Sequence, residues 1–341
     1  MPRERRVPRR ALTRTAVGLG RAMTRRRVAG LALALVAGLA APATAVAQKE
    51  TLTMGSTNAA SSNYALAVAM TKAIKKELPN VNVSMIETGA SVDNVRRMTK
   101  AEIDLGLVMV DTSIQAVDGT GPFKGRAVPD LAVLYAYDAT ALQFAVRVDA
   151  GINDLKDLQG KKFNAGIRGS GAEVLTRQIF AALGIEPAWV SGSIQDSVEG
   201  VQNRQLVGYA KYGVGSGGLD ATMRELLTST PMKFVGLTED QHKIVESKVK
   251  GVDFTTTPAN TIPGQPAALT PLVYGTYSTR TSLMDDATAY AVAKAIYENR
   301  QFLVDVFPHL AQFDFRNATL KTEALGLHVH PGAKKFWETV K

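Results

Sequence analysis

The sequence of 341 residues contains no cysteine, so no disulfide bond stabilises its fold. The same absence excludes a cysteine nucleophile and a thiolate metal site. Stability must therefore come from burial of apolar side chains. A chain of this length can build a sizeable core and divide into two domains.

Histidine is also scarce, with four residues in the whole chain. His328 and His330 form a His-x-His pair, but Pro331 and Gly332 follow directly, which favours a structural turn over a metal site. No Gly-x-Ser-x-Gly nucleophile motif is present. Acid pairs such as Asp285-Asp286 stand at predicted helix starts, where they interact favourably with the helix dipole. We therefore predict a protein that is not an enzyme and has no metal or cofactor.

The excess of basic residues is confined to the beginning of the chain. Lys and Arg number 40 against 31 Asp and Glu, but residues 1–47 hold ten arginines and one glutamate. The remainder thus carries 30 residues of each sign and is formally neutral. Because a nucleic-acid partner normally requires a basic face, we expect none.

The first 47 residues have the pattern of a secretory signal peptide. Arg25–Arg27 precede an apolar run over 28–41, and Ala45 and Ala47 supply the small residues of a cleavage site. The apolar run is short for a retained membrane anchor, which needs roughly 20 residues. The pattern predicts cleavage after Ala47 and export to the periplasm. The true start could be Met23, and both general and twin-arginine export remain open.

After the leader, short apolar runs alternate with amphipathic helical stretches. The pattern predicts strands over 51–54, 81–86 and 103–110. It also predicts a helix from about Asn63 and a second helix that Ser91 can cap. This succession of strand and helix is typical of an α/β fold with mostly parallel strands.

The same alternation restarts in the second half, with a strand over 162–167 and a helix over 172–183. Two β-rich stretches around 138–150 and 260–278 indicate that the chain leaves one lobe, builds another and returns. The predicted domains are the first part of lobe 1 (48–142), lobe 2 (143–270), and a return to lobe 1 with C-terminal helices (271–341), one of them over 287–306.

Three predicted strand-to-helix turns are rich in Gly, Ser and Thr, at 55–63, 88–91 and 166–171. Such residues are also ordinary turn and cap residues. In combination, however, three helix N-termini at strand ends predict a cleft for a carboxylate or similar anion. The last turn lacks the Gly-Lys-Ser/Thr ending of a phosphate loop, so a nucleotide is not expected.

The sequence resembles the TAXI class of solute receptors for TRAP transporters, the TRAP-associated extracytoplasmic immunogenic proteins. This resemblance implies a type II periplasmic-binding-protein fold, with two α/β lobes joined by a hinge of crossing strands. It also implies a monomeric receptor that delivers a small organic anion, glutamate-like or dicarboxylate, to the integral membrane subunits of an ion-gradient-driven transporter. The matching segments are 55–64, 88–94, 103–111, 119–123, 166–171 and 330–333.

Carried over by position, the resemblance assigns ligand contacts to nine residues. Arg168 stands where many relatives have an uncharged residue, so it either clamps the ligand or forms a surface ion pair. The nine residues are Ser56, Thr57, Asn58, Tyr64, Ser91 and Asn94 from the first lobe, with Arg168, Ser170 and Gly171 from the second.

Three other functions share this architecture. A sensor subunit would present its ligand to a signalling kinase, and an ABC-type import protein would use the same two lobes. An enzyme of the related porphobilinogen-polymerising fold is disfavoured, because that chemistry attaches its cofactor through cysteine.

Overall fold

The computed structural model describes residues 50–341. The predicted signal peptide and the alternative start Met23 lie outside the described residues. Within 50–341, no helix has the length and apolar character needed to cross a membrane.

The described chain alternates strands and helices. The strands are β1 (Thr51–Gly55), β2 (Asn82–Ile86), β3 (Leu105–Met109), β4 (Leu131–Arg147), β5 (Lys162–Asn164), β6 (Ala188–Trp189), β7 (Gly208–Tyr212), β8 (Met232–Phe234), β9 (Asp253–Thr257), β10 (Ala268–Arg280) and β11 (His328–Val329). The helices are α1 (Ser62–Glu77), α2 (Ser91–Thr99), α3 (Val110–Asp118), α4 (Gly171–Leu183), α5 (Ile194–Gln202), α6 (Ala221–Leu226), α7 (Glu239–Lys248), α8 (Asp286–Glu298), α9 (Gln301–Val304), α10 (Phe315–Lys321) and α11 (Pro331–Thr339).

The strands form one curled mixed sheet in the order β2-β1-β3-β10-β4-β7-β5-β6. At one end β1 runs parallel to β2 and β3, and at the other end β5 runs parallel to β6 and β7. The long strands β10 and β4 join these parallel groups through antiparallel pairs. The predicted α/β architecture is confirmed, because each parallel group with its helices forms its own lobe.

Strand β4 (Leu131–Arg147) runs without a break, although a charged residue lies in its middle. Asp138 interrupts the apolar pattern, yet it is buried and lies 2.8 Å from Nε2 of His309. This partner satisfies the carboxylate, so the strand continues through the polar position. The first part of β4 pairs with β10, and the part from Leu142 onward pairs with β7.

Two helix boundaries differ from the predictions. Ser91 does not cap α2 but is its first residue, and Ala90 occupies the cap position with φ of 70°. The Ser91 hydroxyl instead accepts the N–H of Met109 at 3.1 Å, so its oxygen bonds to β3 rather than to its own helix. The helix predicted over 287–306 is interrupted at Asn299 and forms α8 and α9. By contrast, Gly184 ends α4 in a left-handed conformation, as predicted.

Candidate ligand-binding cleft

A cavity lies where the N-terminal ends of α1, α2 and α4 approach β3 and β7. It contains about 440 Å³ of space between protein atoms, part of it open to solvent. Its lining residues are Thr57, Ser61, Asn63, Ala90, Ser91, Leu107, Met109, Ile167, Ser170, Gly171, Ala172, Lys211 and Tyr212.

Three helix N-termini border this cavity, and each brings the positive end of a helix dipole. Ser61 caps α1 by accepting the N–H of Asn63 at 3.4 Å, and Ser170 caps α4 by accepting that of Glu173 at 3.2 Å. Because each hydroxyl accepts in its cap, its own O–H remains able to donate to a ligand. The arrangement favours a negatively charged group in the cavity.

Contacts between the two sides close the mouth of the cleft. The N–H of Val92 donates to the carbonyl of Gly169 at 2.9 Å. Beside α1, the N–H of Ser62 donates to Oδ2 of Asp220 at 3.0 Å, and the N–H of Ala221 donates to the Ser62 hydroxyl at 2.9 Å. The described conformation is therefore closed.

Four of the nine predicted ligand residues line the cavity: Thr57, Ser91, Ser170 and Gly171. Ser56 and Asn94 lie buried beneath it. The Asn94 side chain donates to the carbonyl oxygens of Ser56 and Leu107 at 2.9 and 2.8 Å. The Ser56 hydroxyl donates to the carbonyl of Ile86 at 2.8 Å. These two residues therefore hold the strand ends in place.

The other three predicted residues do not line this cavity. Asn58 donates from its side-chain amide to Glu87 at 2.8 Å, on the outer edge of the turn. Tyr64 lies partly exposed on α1. Arg168 is exposed, and its side chain forms no ion pair with any described residue. Only its backbone N–H is engaged, donating to the carbonyl of Gly192 at 3.3 Å.

Lys211, a buried lysine of β7, lines the cavity but is not among the nine predicted residues. Its ammonium forms an ion pair with Asp220 and donates to the Thr222 hydroxyl at 3.3 Å. Asp220 also accepts the N–H of Thr222 at 2.9 Å and caps α6. The available signal was a single charge inside an otherwise apolar strand pattern, since buried lysines are rare unless paired.

The Lys211 ammonium lowers the pKa of Asp220, although burial lowers the pKa of Lys211 itself. Burial alone would raise the pKa of Asp220, but the Lys211 ammonium and the hydrogen bonds from Thr222 and Ser62 hold it at about 2. The pair is neutral overall, but of its two side chains Lys211 lines the cavity and Asp220 does not, so the positive end of the pair borders it.

Asp111, another buried carboxyl at the start of α3, forms no ion pair with a cationic side chain of residues 50–341. Burial raises its pKa to about 7, although the N–H and hydroxyl of Thr112 oppose the rise. Its Oδ1 accepts no hydrogen bond from any described residue. Burial is the main cause that raises the pKa of Tyr212, and the charge of Asp111 raises it further.

Asp111→Asn is expected to stabilise the protein at pH 8 and to have little effect at pH 4. The folded-state pKa lies above the unfolded value near 3.9, so ionisation costs stability as pH rises between them. The expected gain is on the order of 2–4 kcal/mol at pH 8, measured by urea unfolding. A gain of equal size at both pH values would contradict the raised pKa.

The fold and this cleft define the class of protein: a type II periplasmic-binding-protein fold, with two α/β lobes around one cavity. Residues 54–339 match the NMT1-like family, so the chain belongs to that family.

Solved structures show the same fold at low sequence identity. MatC from Rhodopseudomonas palustris with bound malate superposes with a TM-score of 0.52 at 12% identity, covering 85% of this chain and 99% of that one. XAC2383 from Xanthomonas citri, bound to a chloride ion, gives 0.50 at 12% identity, with 86% and 100% covered.

Proposed function

We propose that this protein is a periplasmic solute receptor of the TAXI type, exported through a cleaved signal peptide. It captures a small organic anion and delivers it to the integral membrane subunits of a TRAP transporter. The observation that carries the proposal is one cavity between two lobes, bordered by three helix N-termini and the Lys211 ammonium. The protein acts as a monomer, by binding rather than by catalysis.

The chemistry of the cleft supports an anionic ligand. The hydroxyls of Ser61, Ser91 and Ser170 lie beside backbone N–H groups at helix starts, where anions bind favourably. MatC, which has the same fold, holds malate, and this carboxylate ligand agrees with the proposal. Of the nine residues carried over from the resemblance, we retain Thr57, Ser91, Ser170 and Gly171 as proposed contacts.

The proposed lobe boundaries at 142/143 and 270/271 fall within β4 and β10, so these two strands would form the hinge. A ligand that contacts both lobes binds the closed state better and shifts the population toward it. Small-angle scattering should therefore show a smaller radius of gyration at saturating ligand. An unchanged radius, together with an open ligand-free form, would contradict hinge closure.

The binding proposal is tested with the chain from residue 48 onward. A thermal-shift screen of small carboxylates, followed by calorimetry on the hits, should identify at least one ligand with micromolar or tighter affinity. Uptake by spheroplasts then separates transporter classes. TRAP-type uptake should stop when the ion gradient is dissipated, whereas ABC-type uptake should stop when ATP is depleted. Binding without receptor-dependent uptake would favour the sensor alternative.

Arg168→Ala is expected to change ligand affinity by less than about 1 kcal/mol, or roughly fivefold. The physical reason is its exposed position outside the cavity. Calorimetry on the identified ligand measures the effect, with Ser170→Ala as a lining-residue comparison that should lose more. A loss of affinity above tenfold in the arginine variant would show that Arg168 contacts the ligand.

A further inference from the structure

The charges on the cavity wall limit which anions it can accept. Among the described residues that line it, Lys211 alone has a charged side chain. An ammonium has three N–H donors. Asp220 and the Thr222 hydroxyl each engage one of them, which leaves a single donor for a ligand.

None of the described residues that line the cavity has an anionic side chain, and Asp220 behind Lys211 already accepts several hydrogen bonds. Oδ1 accepts from Lys211 and Thr222, and Oδ2 accepts from the N–H of Ser62. An amino-acid ligand would therefore place its ammonium in the cavity without an anionic partner. Burying an unpaired charge is strongly unfavourable.

One part of the wall is apolar. Leu107, Met109 and Ile167 lie on it, with the methyl groups of Ala90 and Ala172. A second carboxylate pointing at this surface would lose its hydration with no cation to replace it. A short hydrocarbon chain would instead gain from burial there.

The cavity also limits size, since its volume is about 440 Å³ and part of this is open to solvent. A ligand of a few heavy atoms fits without breaking the contacts between the two sides, such as the one between Ser62 and Asp220.

From these observations we infer that the cleft selects small monocarboxylates with a short apolar chain over dicarboxylates and amino acids. The carboxylate takes the remaining Lys211 donor and the helix N-termini, and the chain contacts the apolar wall. This inference rests on the proposed function and narrows its substrate class.

The first experiment is calorimetry on the chain from residue 48 onward at pH 7.5, with propionate, butyrate, succinate, L-malate, L-glutamate and the neutral analogue butyramide. Butyrate or propionate should bind at least tenfold more tightly than succinate, malate or glutamate. Tighter or equal binding of succinate, malate or glutamate overturns the monocarboxylate inference but leaves the anion receptor intact. Failure of every carboxylate to bind more tightly than butyramide overturns the proposed anion-binding function itself.

A paired variant tests the role assigned to Lys211. Lys211→Met combined with Asp220→Asn removes both charges, so no unpaired ion is buried. Butyrate affinity should fall at least tenfold while butyramide affinity stays within twofold. An unchanged butyrate affinity would show that Lys211 does not bind the carboxylate.

Adding a cation provides a second variant that leaves the ion pair in place. Ile167 is partly exposed and lines the apolar wall, so Ile167→Lys can introduce an ammonium there. The ratio of butyrate to succinate affinity should fall at least fivefold in this variant. A ratio that does not change would show that the missing second cation does not set the preference, and would overturn the inference.

Discussion

Gly171→Val is expected to reduce ligand affinity roughly a hundredfold, about 2.7 kcal/mol, while leaving the free energy of unfolding within about 1 kcal/mol of wild type. A Cβ atom at Gly171 would lie 2.8 Å from Cγ of Met109 and 3.1 Å from the Ser91 hydroxyl. Both neighbours lie on the opposite side of the cavity, so a branched side chain would hold the lobes apart. Because the lobes can separate, the clash opposes closure rather than folding.

Calorimetry and small-angle scattering on the same variant distinguish this mechanism from misfolding. Ala181→Val is the matched control, because Ala181 lies exposed near the other end of α4. The control should bind normally and become more compact with ligand, whereas the Gly171 variant should stay expanded. Normal affinity in the Gly171 variant would mean that binding does not require the described approach of α4 to Met109.

Lys211→Met is expected to lower the free energy of unfolding by about 3–5 kcal/mol at pH 7, because it leaves the Asp220 charge buried without a cation. Asp220 is 3% exposed, and it also links α6 to the N–H of Ser62. Urea unfolding measures the loss. The double variant with Asp220→Asn should recover most of it, since asparagine can still cap α6.

The loss in Lys211→Met should depend on pH. In wild type the pKa of Asp220 is about 2, below its unfolded value near 3.9, so its contribution is present above pH 4 and is lost as pH falls toward 2. Without the ammonium, burial raises this pKa above the unfolded value, and the variant loses stability as pH rises. The difference between the two proteins should therefore shrink as pH falls and be smallest near pH 2. A difference independent of pH would exclude Asp220 as its source.

Much of the architecture follows from local sequence patterns. The apolar periodicity predicted β1, α1 and α4 within a few residues, because strand and helix periods are visible in any short window. Gly184 marked the end of α4 because glycine readily adopts the left-handed conformation that ends a helix. The lobe boundaries remain a proposal.

The sequence by itself also determined that three Ser- and Gly-rich turns would precede helices, since turn and cap chemistry is local. Only the tertiary structure decided which side chains of those turns face the cavity. Thr57 and Ser170 line it, whereas Arg168 is exposed, because Gly166 and Gly169 on either side of that segment adopt φ of 132° and 81° and set its course. Lys211 lines the cavity and pairs with Asp220. Oδ2 of Asp220 accepts the N–H of Ser62, which lies 158 positions earlier in the chain. No local pattern encodes that contact, because it depends on how two lobes pack across a cleft.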